Sequence, residues 1–140
     1  MSDAVIVESV RSAGARYKRG GLAFTRADDY GIQVLKGLLA RVPQLKPADV
    51  DDVIVGCSFP EAEQGMNLGR VLAIGSGLPV TTAGMTVNRF CSSGIQSIAD
   101  ATAKIRAGWS DVIIAGGCET MTHIPMGGCM TRPNPDWDLD

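Results

Sequence analysis

Short apolar runs alternate with helix-patterned segments along this chain, and that alternation limits the folds available to it. The runs at 53–57 and 112–115 are continuously apolar, which is typical of strands covered on both faces of a parallel sheet. Four strands are predicted, at Ala4–Val10, Val53–Cys57, Met85–Asn88 and Val112–Ala115. Helices are predicted at 27–42, 67–75 and 91–107, where apolar residues recur at helical spacing. The pattern therefore predicts an α/β fold with helices on both faces of a mostly parallel sheet.

Composition and charge exclude several classes of protein. The 140 residues are 45% hydrophobic and 20% charged, as in one globular domain with a real core. A net charge of −2 without any Lys/Arg run argues against nucleic acid or an anionic membrane as a partner. No apolar run is long enough to span a bilayer and no signal peptide is recognised, so we expect a cytoplasmic protein. A basic cluster is interpreted as a solvated loop rather than a phosphate site: Arg11, Arg16, Lys18 and Arg19.

The cysteine pattern indicates free thiols. Cys57, Cys91, Cys118 and Cys129 show no CxxC spacing, so neither a zinc site nor a redox pair is indicated. No metal or other cofactor is predicted. Cys57 in its strand and Cys118 after the Gly116-Gly117 pair are interpreted as packing residues. The glycine pair is expected to bring backbone close to the helix that follows Cys91 or to supply positive φ, with an ordinary strand end as the alternative.

Cys91 differs from the other cysteines because it stands where a predicted strand gives way to a helix. No acidic side chain follows until Asp100, so nothing in the first two turns neutralises the positive end of the helix dipole. The dipole and free N–H groups favour the thiolate, and the N–H groups can also hold the oxyanion of an acyl intermediate. An acyl-transfer nucleophile is predicted, with a small buried hydrophobe as the alternative. The predicted apolar stripe of this helix is Ile95, Ile98, Thr102 and Ile105.

Three segments in a fixed order resemble a known family. They are Asn88-Arg89-Phe90-Cys91-Ser92-Ser93-Gly94, Ile113-Ile114-Ala115-Gly116-Gly117-Cys118-Glu119-Thr120-Met121-Thr122 and Pro125-Met126-Gly127-Gly128. Together they resemble the thiolase family, and within it the degradative 3-ketoacyl-CoA thiolases of fatty acid β-oxidation. The likeness runs from about Ala4 to Gly128, as in the N-terminal portion of such an enzyme.

The resemblance implies a fold, an activity and residue roles. Thiolases join two similar halves in a five-layered αβαβα body, and the order implied for the four predicted strands is 3-2-1-4. They cleave a 3-ketoacyl-CoA with CoA, or run the reverse condensation, as homodimers or homotetramers. Cys91 is the implied carrier of the acyl group, with its backbone N–H in the oxyanion hole. The implied substrate-binding or wall residues are Asn88, Gly116, Gly117, Glu119 and Met121, with a surface carboxylate as the alternative for Glu119.

Other parts of the family pattern are missing. A GHP motif and a CxG motif complete the proton transfers in thiolases, and neither occurs here. His123, the only histidine, lies outside such a context and is interpreted as structural or exposed rather than catalytic. We therefore expect a fragment or truncated product, inactive alone, with a partial domain at 1–118 and the start of a loop region at 119–140. Alternatives are a ketoacyl-synthase-like condensing enzyme, which Gly117–Met121 disfavours, a non-catalytic acyl- or lipid-binding relative, and a plain structural domain.

Overall fold

The computed structural model describes residues 3–132 and 134–135. Within these ranges the helices are α1 (Ala27–Arg41), α2 (Leu68–Gly75) and α3 (Ser93–Arg106), and the strands are β1 (Asp52–Gly56), β2 (Ala83–Val87) and β3 (Ile113–Gly117). Each matches a predicted element to within two residues at either end. The outer ends of the predicted regions 1–118 and 119–140 lie outside the described residues.

The three strands form a parallel sheet in the order β2-β1-β3. β1 is central and buried along its whole length, as its continuous apolar run predicts. In the described sheet β2 pairs with β1 alone, so the strand around Met85–Asn88 is an edge, as predicted. The mostly parallel α/β class is therefore confirmed.

The implied strand order 3-2-1-4 is wrong. β1 pairs directly with β3, with Asp52 opposite Ile113 and Gly56 opposite Gly117, and hydrogen-bonded neighbours leave no room for a strand between them. The predicted strand Ala4–Val10 has no regular structure. Its apolar side chains are largely exposed: Val5 by 76%, Ile6 by 81% and Val7 by 78%. An apolar run makes a strand only where a partner strand accepts its backbone hydrogen bonds.

Side-chain alternation along β1 assigns α2 and α3 to opposite faces of the sheet. Val53 and Val55 belong to the buried cluster that includes Leu68 and Leu72 of α2. Gly56, on the other face, lies against the start of α3. α1 packs outside α2. Among the described residues no helix has the length and apolar character needed to cross a bilayer.

α3 packs on the sheet through small residues. Its buried positions are Ser93, Ser97 and Ala101, spaced by four along the helix. Two isoleucines of the predicted stripe point away from this contact, since Ile95 is 77% exposed and Ile98 is 47% exposed. The predicted apolar stripe is therefore not the face through which α3 packs on the sheet. A helix can lie this close to a strand only where its contact residues are small.

Candidate active site

The carboxyl ends of the three parallel strands meet at one edge of the sheet, which is where ligands bind in α/β folds. Cys57, Asn88 and Cys118 are the residues that directly follow β1, β2 and β3. Gly116 and Gly117 are the last two residues of β3. The sequence-predicted site residues therefore all belong to this edge or to the segments that leave it.

Cys91 is exposed in a tight turn, two residues before α3 begins. Phe90, directly before it, has φ of +45°, a left-handed conformation that is uncommon for a bulky residue. Ser93 fixes this turn from the helix side. The Phe90 carbonyl accepts from the backbone N–H of Ser93 at 3.0 Å and from its Oγ at 2.6 Å. The same Oγ accepts from the backbone N–H of Arg89 at 2.9 Å.

The start of α3 differs from the start of α2 in its capping. Ser92 occupies the cap position of α3 but makes no side-chain bond to the helix backbone. In α2, Asn67 caps the helix by accepting from the Arg70 N–H at 3.4 Å. The first turn of α3 also has no acidic residue. Cys91 therefore lies beside an uncapped, electropositive helix start, the setting in which cysteines act as nucleophiles.

A glycine at the end of β1 allows α3 to approach the sheet. A Cβ on Gly56 would lie 2.4 Å from the carbonyl carbon of Ser93, so a larger residue would displace the helix. A Cβ on Gly116 would meet nothing within 4 Å, and one on Gly117 nothing closer than 3.5 Å. Neither glycine has positive φ. Gly116-Gly117 does lie against α3, since the Gly116 carbonyl accepts from Ser97 Oγ at 2.8 Å and a Cβ on Gly117 would meet the Gly94 Cα at 3.8 Å. The closest approach to this helix is nevertheless at Gly56.

Glu119 joins the segment after β3 to the end of β1. Its Oε2 accepts from the backbone N–H of Ser58 at 2.6 Å, and its Oε1 accepts from the fully buried Gln64 Nε2 at 2.7 Å. Its carbonyl accepts from the Tyr30 hydroxyl at 2.5 Å. The carboxylate is half-buried and bonded within the protein, which excludes the surface-carboxylate alternative. Its role as a site wall stays a prediction.

Asn88 is exposed, yet both ends of its amide are bonded. Its Nδ2 donates to the Ser58 carbonyl at 2.9 Å, and its Oδ1 accepts from the Phe90 N–H at 2.9 Å. Met121, in the segment after β3, is 38% exposed. The hydrogen bonds of Asn88 favour a structural role in the turn before Cys91. Contacts of Asn88 and Met121 with substrate stay predictions.

The thiols that follow β1 and β3 lie in a different environment from Cys91. Cys57 is 1% exposed and Cys118 is 6% exposed. Burial, with the nearby Glu119 charge, raises the pKa of the Cys57 thiol to about 12. Burial likewise raises the pKa of Cys118 to about 11. Such thiols carry almost no thiolate at neutral pH, which supports their interpretation as packing residues. Cys129 is exposed.

His123 holds the loop after β3 against two other segments. Its Nδ1 lies 2.8 Å from Glu63 Oε1, and its Nε2 lies 2.9 Å from the Ala23 carbonyl. The Glu63 carboxylate and the Ala23 carbonyl raise the imidazole pKa. Because both ring nitrogens face acceptors, His123 is engaged as a tether in this arrangement, as the structural interpretation predicted. Within the described part of the chain, no group of three or more His, Cys, Asp or Glu side chains is placed to hold a metal ion.

Comparison with known proteins decides the family. The family model described as "Thiolase, N-terminal domain" matches residues 4–134. The chain belongs to the thiolase family. It is 48% identical over 134 residues to the 3-ketoacyl-CoA thiolase of Bacillus subtilis (strain 168), a match over 96% of this chain and 34% of that protein. It is 43% identical over 126 residues to the 3-ketoacyl-CoA thiolase of Idiomarina loihiensis, a match over 90% of this chain and 33% of that protein. The chain thus spans about a third of the length of these relatives.

Some residues that shape this thiolase domain were missed in the sequence. Gly56 and Ser58 carry no motif, and their importance arises from contacts with α3 and with Glu119. Ser93, Ser97 and Ala101 did leave a signal, since small residues spaced by four mark a close helix contact. The isoleucines on the other side of the helix had the stronger apolar pattern and masked that signal.

Proposed function

We propose that Cys91 is the acyl-accepting nucleophile of a 3-ketoacyl-CoA thiolase, and that this chain is the part of the enzyme that bears it. One observation carries the proposal: within a thiolase-family domain, an exposed thiol lies in a fixed turn at the uncapped start of α3. The names of the relatives support acyl-CoA and CoA as the co-substrates.

The proposed chemistry transfers an acyl group through a thioester. The Cys91 sulfur attacks the 3-keto carbonyl carbon, a C–S bond forms, and the carbon–carbon bond to the CoA-bearing fragment breaks. The electron pair leaves with that fragment, which takes up a proton as acetyl-CoA. CoA then loses its proton, attacks the thioester, and releases Cys91 as thiolate with the shortened acyl-CoA.

Two kinds of group must assist these steps. Each attacked carbonyl passes through a tetrahedral oxyanion, which backbone N–H groups can stabilise, and the Cys91 N–H is proposed as one of them. We propose that the proton transfers belong to the histidine of a GHP motif and the cysteine of a CxG motif elsewhere in the enzyme, as the family resemblance implies. His123, bonded at both nitrogens, is not assigned to them.

The same resemblance supports the wider setting of the proposal. We propose a degradative role in fatty acid β-oxidation, in the cytoplasm, without a metal or cofactor and with the enzyme as a homodimer or homotetramer. The edge position of β2 supports association, because an unpaired edge strand is a template for pairing. Light scattering on the purified chain checks this, and a monodisperse monomer at high concentration contradicts it.

The nucleophile is tested on this chain by running the second step backwards from acetyl-CoA: the Cys91 sulfur takes the acetyl group and CoA leaves as the thiolate. With acetyl-CoA, peptide mass spectrometry is expected to find one acetyl group on Cys91, removable by hydroxylamine, and none on Cys57. Cys91→Ala is the control. Thiolysis of acetoacetyl-CoA is expected to be unmeasurable, because each missing acid–base group lowers the rate by about 10²–10⁴-fold. A non-catalytic acyl-binding relative would bind acetyl-CoA without this thioester, and that result would contradict the proposal.

A further inference from the structure

A chain of hydrogen bonds joins the three strand ends and finishes at the residue before Cys91. Ser58 is its middle member: its N–H donates to Glu119 Oε2 at 2.6 Å, and its carbonyl accepts from Asn88 Nδ2 at 2.9 Å. Asn88 Oδ1 then accepts from the Phe90 N–H at 2.9 Å. We call Glu119, Ser58 and Asn88 the relay. It starts after β3, crosses the end of β1 and reaches the turn after β2.

The turn at the end of the relay requires support. Phe90 holds a φ of +45°, which a residue with a large side chain adopts only where its surroundings stabilise it. The Ser93 hydroxyl donates to the Phe90 carbonyl, whereas the Phe90 N–H donates to Asn88 Oδ1. The relay therefore stabilises one of the two backbone groups that fix this conformation, and Cys91 is the next residue.

The opposite end of the relay is anchored in the interior. Glu119 Oε1 accepts from Nε2 of Gln64, which has no exposed surface, at 2.7 Å. The Gln64 side chain also donates to the Phe59 carbonyl at 2.9 Å and accepts from the Thr120 N–H. A carboxylate held in this way cannot rotate away from Ser58 without leaving buried donors unpaired.

From these contacts we propose that Glu119, Ser58 and Asn88 are positioning residues that orient the Cys91 turn for acyl transfer. The inference rests on the proposed function, because it assigns these residues to the nucleophile named there. Asn88 and Glu119 then act through the turn rather than through contact with substrate.

The test uses the full 140-residue chain with matched variants. Asn88→Ala removes both hydrogen bonds of the side-chain amide. Asn88→Ser provides a hydroxyl oxygen that can accept from the Phe90 N–H in place of Oδ1. Glu119→Gln places an amide donor toward either Ser58 or Gln64. The matched control is Glu63→Gln, a carboxylate that bonds His123 and the Ala27 N–H rather than Ser58.

Acetyl transfer from acetyl-CoA to Cys91 is expected to fall about tenfold in Asn88→Ala and in Glu119→Gln, since small misplacements of reacting groups have large effects on rate. Asn88→Ser should recover part of the loss, and Glu63→Gln should leave the rate unchanged. The Phe90 amide resonance should shift in both relay variants and not in the control. A purely structural role would lower the urea midpoint without the serine rescue and without the Phe90 shift.

A second readout separates this inference from the proposed function. If wild type takes up no acetyl group, the nucleophile proposal fails, and the relay is then judged by iodoacetamide alkylation of Cys91 relative to Cys129 in the same sample. A change of about threefold or more in that ratio in Asn88→Ala and Glu119→Gln, absent in Glu63→Gln, supports the relay. Unchanged ratios with an unchanged Phe90 resonance overturn it, whether or not acetyl transfer occurs.

Discussion

Cys57 and Cys91 follow neighbouring parallel strands at the same sheet edge, yet they occupy opposite environments. Cys57 comes directly after β1 and is closed in by Gln64 and Glu119, whose atoms lie 3.6 Å from its sulfur. Cys91 comes after the turn that leaves β2, and it is exposed beside an uncapped helix start. The fold thus offers similar positions to both thiols, and the connection that follows each strand decides which thiol is accessible.

The difference has a physical cause in the segments that follow the strands. After β1, the segment up to Gln64 folds back under the Glu119 carboxylate, so Cys57 is covered. After β2, the chain makes one strained turn at Phe90 and enters α3. Cys91 on that turn is thereby presented to solvent, whereas Cys57, directly after β1, is buried.

The largest expected effect is in the reactivity of these two thiols. Near neutral pH, limiting iodoacetamide should label the exposed Cys91 about 10²-fold or more faster than Cys57, because Cys57 is covered and burial raises the pKa of its thiol to about 12. Peptide mass spectrometry against time measures both rates. Denaturant should make them similar. A folded-state ratio near one would remove the contrast and the nucleophile assignment with it.

The second prediction concerns the contact that seats α3 on the sheet. Gly56→Ala should lower the free energy of unfolding by about 1–3 kcal/mol, because the new Cβ meets backbone atoms of Ser93 that cannot move aside cheaply. Urea denaturation measures the change. Gly116→Ala is the matched control, since its Cβ meets nothing within 4 Å, and it should stay within about 0.5 kcal/mol of wild type. Equal losses would mean that the close approach at Gly56 is not what seats the helix.

A smaller effect on stability is expected where the segment after β3 is bonded to α1. Tyr30→Phe should lower the free energy of unfolding by about 1 kcal/mol, because it removes the hydroxyl that donates to the Glu119 carbonyl. Tyr17→Phe, at a side chain that is 56% exposed, should have no measurable effect. Cys91 alkylation should not change in either variant. A change in Cys91 alkylation in Tyr30→Phe would show that the Glu119 carbonyl, in addition to the Glu119 carboxylate of the relay, affects the Cys91 turn.

The smallest expected effect is the pH dependence of the stability that His123 contributes in the loop after β3. The neighbouring Glu63 carboxylate and Ala23 carbonyl raise the His123 pKa, outweighing Arg26, which is itself paired with Asp28. The folded state therefore binds the imidazole proton more tightly than the unfolded state. This stabilisation is fully present below about pH 6.5, the unfolded value, and is lost as pH rises through the higher folded pKa.

The check is urea midpoints between about pH 6 and pH 8, which bracket the ordinary histidine pKa. Wild type should lose stability across this interval by less than about 1 kcal/mol, the scale of an ion pair that solvent reaches. His123→Gln should flatten the dependence and leave Cys91 alkylation unchanged. A wild-type curve that rises with pH would contradict the assigned sign.

Local patterns predicted most elements of the fold. The continuous apolar run at 53–57 predicted a buried strand, and β1 is buried throughout. The helix spacing after Ala27 and the cap at Asn67 placed α1 and α2. By contrast, the apolar residues at 4–7 predicted a strand at 4–10 that is absent, because local pattern does not say whether a partner strand is available. The isoleucines of α3 show a related limit of local pattern. Their spacing predicts an apolar stripe on the helix, but it does not say whether another element covers that stripe.

For the candidate site, too, some features could be predicted from the sequence and others depend on the tertiary structure. By itself the sequence determined the α/β alternation, the motif around Cys91 and the thiolase family, since each depends on residues close together along the chain. Only the tertiary structure decided that β1 pairs with β3, that Gly56 seats α3, and that Glu119, Ser58 and Asn88 join three strand ends. These contacts link residues up to 61 positions apart. No local periodicity records such pairings, because they arise when strands settle into register and bring distant side chains to one edge.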